Sequence, residues 1–201
     1  GDGALWKQNI SLLPQNIHLT LSDISDGMLR DARRALGARD SRFSFAAFDC
    51  EKIPAASENY DLVIANHVLF YCDNLENVCK EVRRVLKPGG RFLCSTYGNS
   101  HMKEISQLVS RFDERIVLSA NKLYEKFGRE NGAHVLEPWF SRVEWISYED
   151  GLLVSDPEPL ISYILSCHGN QNRYIVDRYK EFRIYVRKKT EKGFHITKDA
   201  G

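Results

Sequence analysis

Gly1, Asp2 and Gly3 stand directly ahead of a helix-forming stretch. Glycines at such a point let the backbone approach a ligand closely, and the free N–H groups of a helix start attract negative charge. Asp23 closes the next apolar run, about 20 residues past Gly3, the offset at which a strand-end carboxylate holds a nucleotide ribose by accepting from both of its hydroxyls. A plainer role for Asp23 is to help Ser25 cap the following helix. Asp49 ends the string FSFAAFD, where a carboxylate can accept from an exocyclic amino group such as that of adenine; an ordinary loop acid is the alternative. Asn66 and His67 close a third apolar run and fall at the crevice beyond the strand ends, where α/β sheets bind ligands. A satisfied core histidine is the bland reading of His67. Arg187-Lys188-Lys189 sits at a helix C-terminus, where cations complement the dipole and face water. There is no Ser/His/Asp triad, no phosphate-binding P-loop and no C-x-x-C pair among the five cysteines, so no metal site is expected.

The elements that must position these residues alternate. Leu5, Ile10 and Leu13 predict a helix over 4–13, stopped by Pro14. Ile17, Leu19 and Leu21 alternate with polar residues as a strand, Ser25 caps a helix carrying Met28, Leu29, Ala32 and Leu36, and Gly37 ends it. Phe43 to Phe48 reads as a second strand. Tyr60 to Val68 reads as a near-continuous apolar strand buried on both faces. A third helix follows through Leu86, then a Pro88-Gly89-Gly90 turn and a strand over Arg91 to Thr96. This is an α/β, doubly wound, mostly parallel pattern. It loosens after Gly98: a helix is expected over His101 to Phe112, mixed helix and extended pieces such as Arg142 to Tyr148 over 113–170, a helix opened by Asp156-Pro157-Glu158, a last helix through Val186, and a final strand at Phe194 to Thr197. Residues 1–100 and 171–201 are read as the core, and 101–170 as an α+β insertion over one end of the sheet. Trp139, Phe140, Trp145 and Tyr148 in that insertion could line an acceptor pocket or form its own small core.

The chain has 201 residues, 43% of them hydrophobic and 27% charged, which excludes a disordered chain. Its 28 Lys and Arg balance 27 Asp and Glu, for a net charge of +1, so nothing marks a nucleic-acid or anionic-membrane footprint. No apolar stretch approaches the roughly 18 residues of a membrane span. Scattered free thiols fit a reducing, cytoplasmic setting. A small-molecule ligand is expected, and a homodimer is left open.

Together these strings resemble the class I S-adenosylmethionine-dependent methyltransferases, closest to the small-molecule and quinone-type members. GDGALW resembles the tail of the family's glycine-rich first motif, and LSDISDGML its second-strand motif. FDCEKIP and YDLVIANHVLFY resemble the third and fourth motifs, and LENVCKEVRRVLKPGGRFLCSTYG the helix, turn and fifth strand. The resemblance covers about residues 1–100 and the terminal helix–strand unit. It implies S-adenosylmethionine as cofactor, held by Gly1, Asp2, Gly3, Asp23, Ile24, Met28, Asp49 and Cys50, with Asn66, His67 and Val68 at the methionine end. It also implies methyl transfer to a small-molecule acceptor, with His67 and Tyr71 the candidate proton acceptors. The Rossmann-like fold so implied lacks its first strand and half of the glycine motif here. The antiparallel seventh strand, partner to Phe194 to Thr197, is expected beyond Gly201. A nicotinamide-dependent oxidoreductase shares the glycines and the ribose acid, and a non-catalytic cofactor-binding protein is the other alternative.

Overall fold

A computed structural model describes residues 1–37, 40–119 and 122–201, with Glu149 described by its backbone only. Ala120 and Asn121, inside the stretch expected to mix helix and extended pieces, lie outside the described residues. Clustering of contacts divides the chain into two compact units, Gly1–Leu62 with Asn74–Arg91, and Val63–Asp73 with Phe92–Gly201.

In the first unit α1 (Ala4–Asn9) runs into a single 3-10 turn, Ile10–Leu12, before Pro14. β1 (Leu19–Asp23) leads to α2 (Asp26–Leu36), whose start is fixed by the Ser25 hydroxyl accepting from the Met28 N–H. Gly37, at φ 86°, ends that helix in a conformation that side-chain-bearing residues avoid. β2 (Phe43–Ala47) pairs with β1 in parallel, Leu19 opposite Phe43 and Asp23 opposite Ala47. Leu21, Ala32, Leu36 and Phe43 are buried together, with Trp6, Ile10 and Leu13 packed against them. Each such apolar side chain contributes about 1.5–3 kcal/mol on full burial, and this core sets the carboxyl ends of β1 and β2 side by side.

β3 (Tyr60–Asn66) pairs with β4 (Leu86–Ser95), and α3 (Leu75–Val85) between them is capped by Asn74. Two sequence expectations need correction here. The apolar β3 is not buried on both faces: Leu62 is 43% exposed and Val63, Ile64 and Ala65 are partly buried. Pro88-Gly89-Gly90 does not form a separate turn but lies inside β4, with Gly89 at φ 77° taking up the irregularity.

In the second unit α4 (Lys103–Phe112) is followed by two short helices, α5 (Leu123–Lys126) and α6 (Gly132–Leu136). The expected extended piece at Arg142 to Tyr148 lies later, as β5 (Tyr148–Val154). α7 (Pro157–Ser166) opens as expected, with the Asp156 carboxylate accepting from the Glu158 N–H. The last helix is divided into α8 (Gln171–Ile175), a 3-10 turn and α9 (Tyr179–Thr190). β6 (Phe194–Ala200) is antiparallel to β5, Val154 opposite Phe194 and Tyr148 opposite Ala200. The antiparallel partner expected beyond Gly201 therefore lies within the chain, at β5. Its Glu149-Asp150-Gly151 run reads as a turn in sequence, and only tertiary pairing makes it a strand. Ile105, Leu108, Val109, Leu160, Ile161 and Ile164 share one buried core with Ile175, Phe182, Val186 and Ile196.

Among the described residues the strands thus form three two-stranded sheets. The α/β class holds, and among the described residues no helix is long and apolar enough to cross a membrane.

Candidate functional site

Gly3 caps α1 with φ 78° and ψ 8°, a left-handed conformation that its lack of a Cβ permits. A Cβ there would stand 3.1 Å from Leu36 Cδ1 and 3.3 Å from the Ala32 backbone, a crowding that adds to the cost of the left-handed φ. The Asp2 carboxylate accepts from the Ala4 N–H at 3.0 Å and steadies the same turn. At the end of β1, Asp23 Oδ1 accepts from the Ser25 N–H at 2.8 Å, and Oδ2 accepts from the Gly1 amine at 2.5 Å. Burial pushes the Asp23 pKa up, while the bonds from the Ser25 and Ile24 amides draw it down. Asp23 is therefore anionic at neutral pH. Ile24 and Met28 beside it are 76% and 40% exposed, apolar surfaces open to a flat ligand.

Asp49 lies just past β2, its Oδ1 accepting from the Glu51 N–H at 2.9 Å, with the partly buried Cys50 next in the chain. Because Ala47 pairs with Asp23, the first unit brings Gly1, Asp2, Gly3, Asp23, Ile24, Asp49 and Cys50 to one sheet end, with Met28 on the helix leaving it.

Asn66, His67, Val68 and Tyr71 belong partly to β3 and otherwise to the loop and 3-10 turn after it, in the second unit. The Asn66 side-chain oxygen accepts from the Ser95 hydroxyl at 3.4 Å. His67 has φ 50°, and its N–H bonds the Ser95 carbonyl at 3.1 Å. Glu58 and Met102 share this left-handed backbone, a region that histidine enters more readily than most residues. Partial desolvation pushes the His67 imidazole pKa down, so the ring is neutral at pH 7 and able to accept a proton. Tyr71 is 66% exposed.

Residues that spacing did not single out surround them. The Phe70 ring packs against Tyr71 at 4.7 Å and against Tyr97 at 5.2 Å, and Tyr97 in turn meets His101 at 5.2 Å and Tyr124 at 6.4 Å. Tyr97 is held by an antiparallel bridge to Ala200, and the Thr96 hydroxyl before it donates to the Phe127 carbonyl at 2.7 Å. His101 Nδ1 accepts from the Asp199 N–H at 3.1 Å. The sequence signal was the pair Tyr97 and His101 four apart, directly after a strand. Of the aromatics in this segment, Phe140 stacks on Phe92 at 5.4 Å, while Trp145 and Tyr148 are exposed. Among the described residues no group of His, Cys, Asp and Glu could hold a metal.

Comparison with known proteins gives these positions a context. Residues 3–94 match the family model described as a methyltransferase domain. A highly reducing polyketide synthase of Calcarisporium arbuscula is 28% identical over 155 residues, 75% of this chain and 6% of that protein. A malonyl-[acyl-carrier protein] O-methyltransferase of Enterobacter lignolyticus is 31% identical over 115 residues, 57% of this chain and 42% of that protein. The chain thus spans less than half the length of these relatives. In fold it is similar to a protein of Bacillus halodurans C-125 provisionally assigned as a methyltransferase, with a TM-score of 0.62 at 14% identity, covering 100% of this chain and 86% of the other. The glycine turn, the β1 acid and the strands that carry them all lie inside the segment that matches this methyltransferase domain.

Proposed function

We propose that the protein transfers a methyl group from S-adenosylmethionine to a small-molecule acceptor, free or carried as an acyl group. The observation that carries this is the left-handed turn at Gly3, where a Cβ would be crowded, together with the Asp23 carboxylate at the end of β1 in the parallel strand pair. The residues fit the cofactor: a carboxylate has about four acceptor sites, so Asp23 keeps capacity for ribose hydroxyls beside its two present bonds. On this reading Gly1, Asp2, Gly3 and Asp23 hold the ribose end, while Ile24, Met28, Asp49 and Cys50 flank the adenine. For Asn66, His67 and Val68 at the methionine end the support is the strand-end motif alone.

The cofactor, when bound, supplies an already activated methyl carbon. What falls to the protein is to orient the acceptor and exclude water, and these are the large terms in such a displacement. The neutral His67 ring can take the proton of an acceptor hydroxyl, with Tyr71 the second candidate. Residues 101–170 are proposed as the part that selects the acceptor. A nicotinamide-dependent oxidoreductase and a non-catalytic binder find no support in the relatives. Calorimetric titration with S-adenosylhomocysteine and with NAD tests the reading: tight binding of the former and none of the latter is expected, and the reverse overturns it.

A further inference from the structure

The second unit contains a cluster whose polar atoms point to a ligand. Around Tyr97 stand Phe70, Tyr71, Tyr124 and His101, with His67 6.3 Å from the Phe70 ring. Among the described residues nothing hydrogen-bonds the hydroxyls of Tyr71, Tyr97 or Tyr124, the ring nitrogens of His67, or Nε2 of His101. Three phenols and two imidazoles are thus gathered on aromatic faces without mutual hydrogen bonds. Tyr97, His101 and Tyr124 are half-buried while Tyr71 and His67 are exposed, so the open polar atoms stand on an aromatic face that a ligand can reach from solvent.

The protonation of the cluster follows from its contacts. The Asp199 N–H occupies His101 Nδ1, so the neutral ring carries its proton on Nε2 and offers a donor. His101 keeps that neutral form because burial, then the neighbouring His67, push its pKa down against the pull of Asp199, with Lys198 pushing the same way as His67. Tyr97 is held in its phenol form by burial and by Tyr71, Tyr163 and Tyr124. The Tyr163 hydroxyl itself is turned to Met102 Sδ at 3.8 Å.

Among the described residues, the cation tied to Asp199 and the neighbouring Lys198 are already paired. Arg129 is bound to the Asp199 carboxylate at 2.7 Å, and Lys198 to Asp150 at 2.8 Å. A carboxylate or phosphate entering here would lose its hydration without a compensating positive charge, which is costly. A planar hydroxyl compound would not: its ring packs on aromatic faces, and its oxygen meets neutral donors and acceptors.

We propose that Tyr97 and His101, with His67 and Tyr124, form the acceptor subsite, and that it takes a planar phenol or enol, neutral when it binds, rather than a carboxylate. This deepens the methyltransferase reading and rests on it. The test uses 2-naphthol and 2-naphthoate, nearly the same shape with a hydroxyl in one and a carboxylate in the other, titrated into the protein at pH 7.5 with and without S-adenosylhomocysteine. Naphthol should bind at least about tenfold more tightly. Tyr97→Phe, which keeps the ring, and His101→Gln should each weaken naphthol by about three- to tenfold, the range for one lost hydrogen bond, while S-adenosylhomocysteine affinity stays at the wild-type value. Near-ultraviolet circular dichroism checks that both variants remain folded, and Tyr124→Phe is the substitute for any that does not. Equal or tighter binding of naphthoate overturns the inference, as does naphthol affinity untouched by all the variants. Failure of S-adenosylhomocysteine to bind the wild-type protein instead overturns the functional reading beneath it, and the inference falls with that reading.

Discussion

Asp23 and Gly3 carry the proposed cofactor site by different means, so their variants should fail differently. Asp23→Ala removes charge-assisted hydrogen bonds and leaves the fold's apolar core untouched. It should weaken S-adenosylhomocysteine by roughly 1.5–3 kcal/mol, about 10- to 150-fold. Calorimetry showing unchanged affinity would remove Asp23 from the site. Gly3→Ala instead forces a Cβ into a left-handed turn and against Leu36. A loss of about 1–2 kcal/mol in folding stability is expected from the backbone alone, read as a lower denaturant midpoint. An unchanged midpoint would mean that the turn relaxes and that glycine is not needed there. His67, also at positive φ, pays a similar strain with a side chain present, which fits a residue kept for its imidazole.

At the level of elements, the first unit was legible because its strands and caps carry local signals. Ser25, Gly37 and Asn74 mark the helix ends, and the β1 and β2 runs are short and apolar. The second unit was less so. β5 contains Asp150 and Gly151, a turn signal overridden by a continuous antiparallel register with β6. Tyr97 and His101 left only the weak signal of their four-residue spacing after a strand, because what holds them is β6, about a hundred residues further along the chain. The packing also bears on the proposed acceptor-selecting segment, since α4 and α7 share a core with α9. Hydrogen exchange should therefore show α4 and α7 as protected as α9, with Ser141 to Ser147, which has no regular structure, among the fastest amides. Addition of S-adenosylhomocysteine with 2-naphthol should slow the α5 amides around Tyr124. No change anywhere in 101–170 would end the idea that this segment selects the acceptor.

Across the whole molecule, the perturbed groups predict how stability follows pH. His67 and His101 both have folded pKa values below the ordinary 6.5, chiefly through loss of hydration. The unfolded chain therefore binds more protons than the folded one as pH falls through 6.5, and stability drops from that point until the folded values are reached. The carboxylates act lower down. Asp23, Glu81, Glu104 and Asp113 all titrate below their ordinary values, Asp113 at about 2 because of its bond to Arg115. Their contribution is complete above the unfolded value, about 4, and is lost as pH falls through the folded ones. Asp113 loses its share last, since it also holds Arg178, 3.1 Å away, at the start of α9. Denaturant midpoints measured from pH 8 to pH 2.5 should thus fall in two stages, a shallow one beginning near pH 6.5 and a steeper one below about pH 4. Replacing His67 and His101 together by Gln should flatten the first stage and leave the second. Asp113→Asn should lower the midpoint at neutral pH and reduce the second stage without altering the first. A midpoint constant between pH 7 and pH 5 in the wild-type protein would show that the two imidazoles titrate normally.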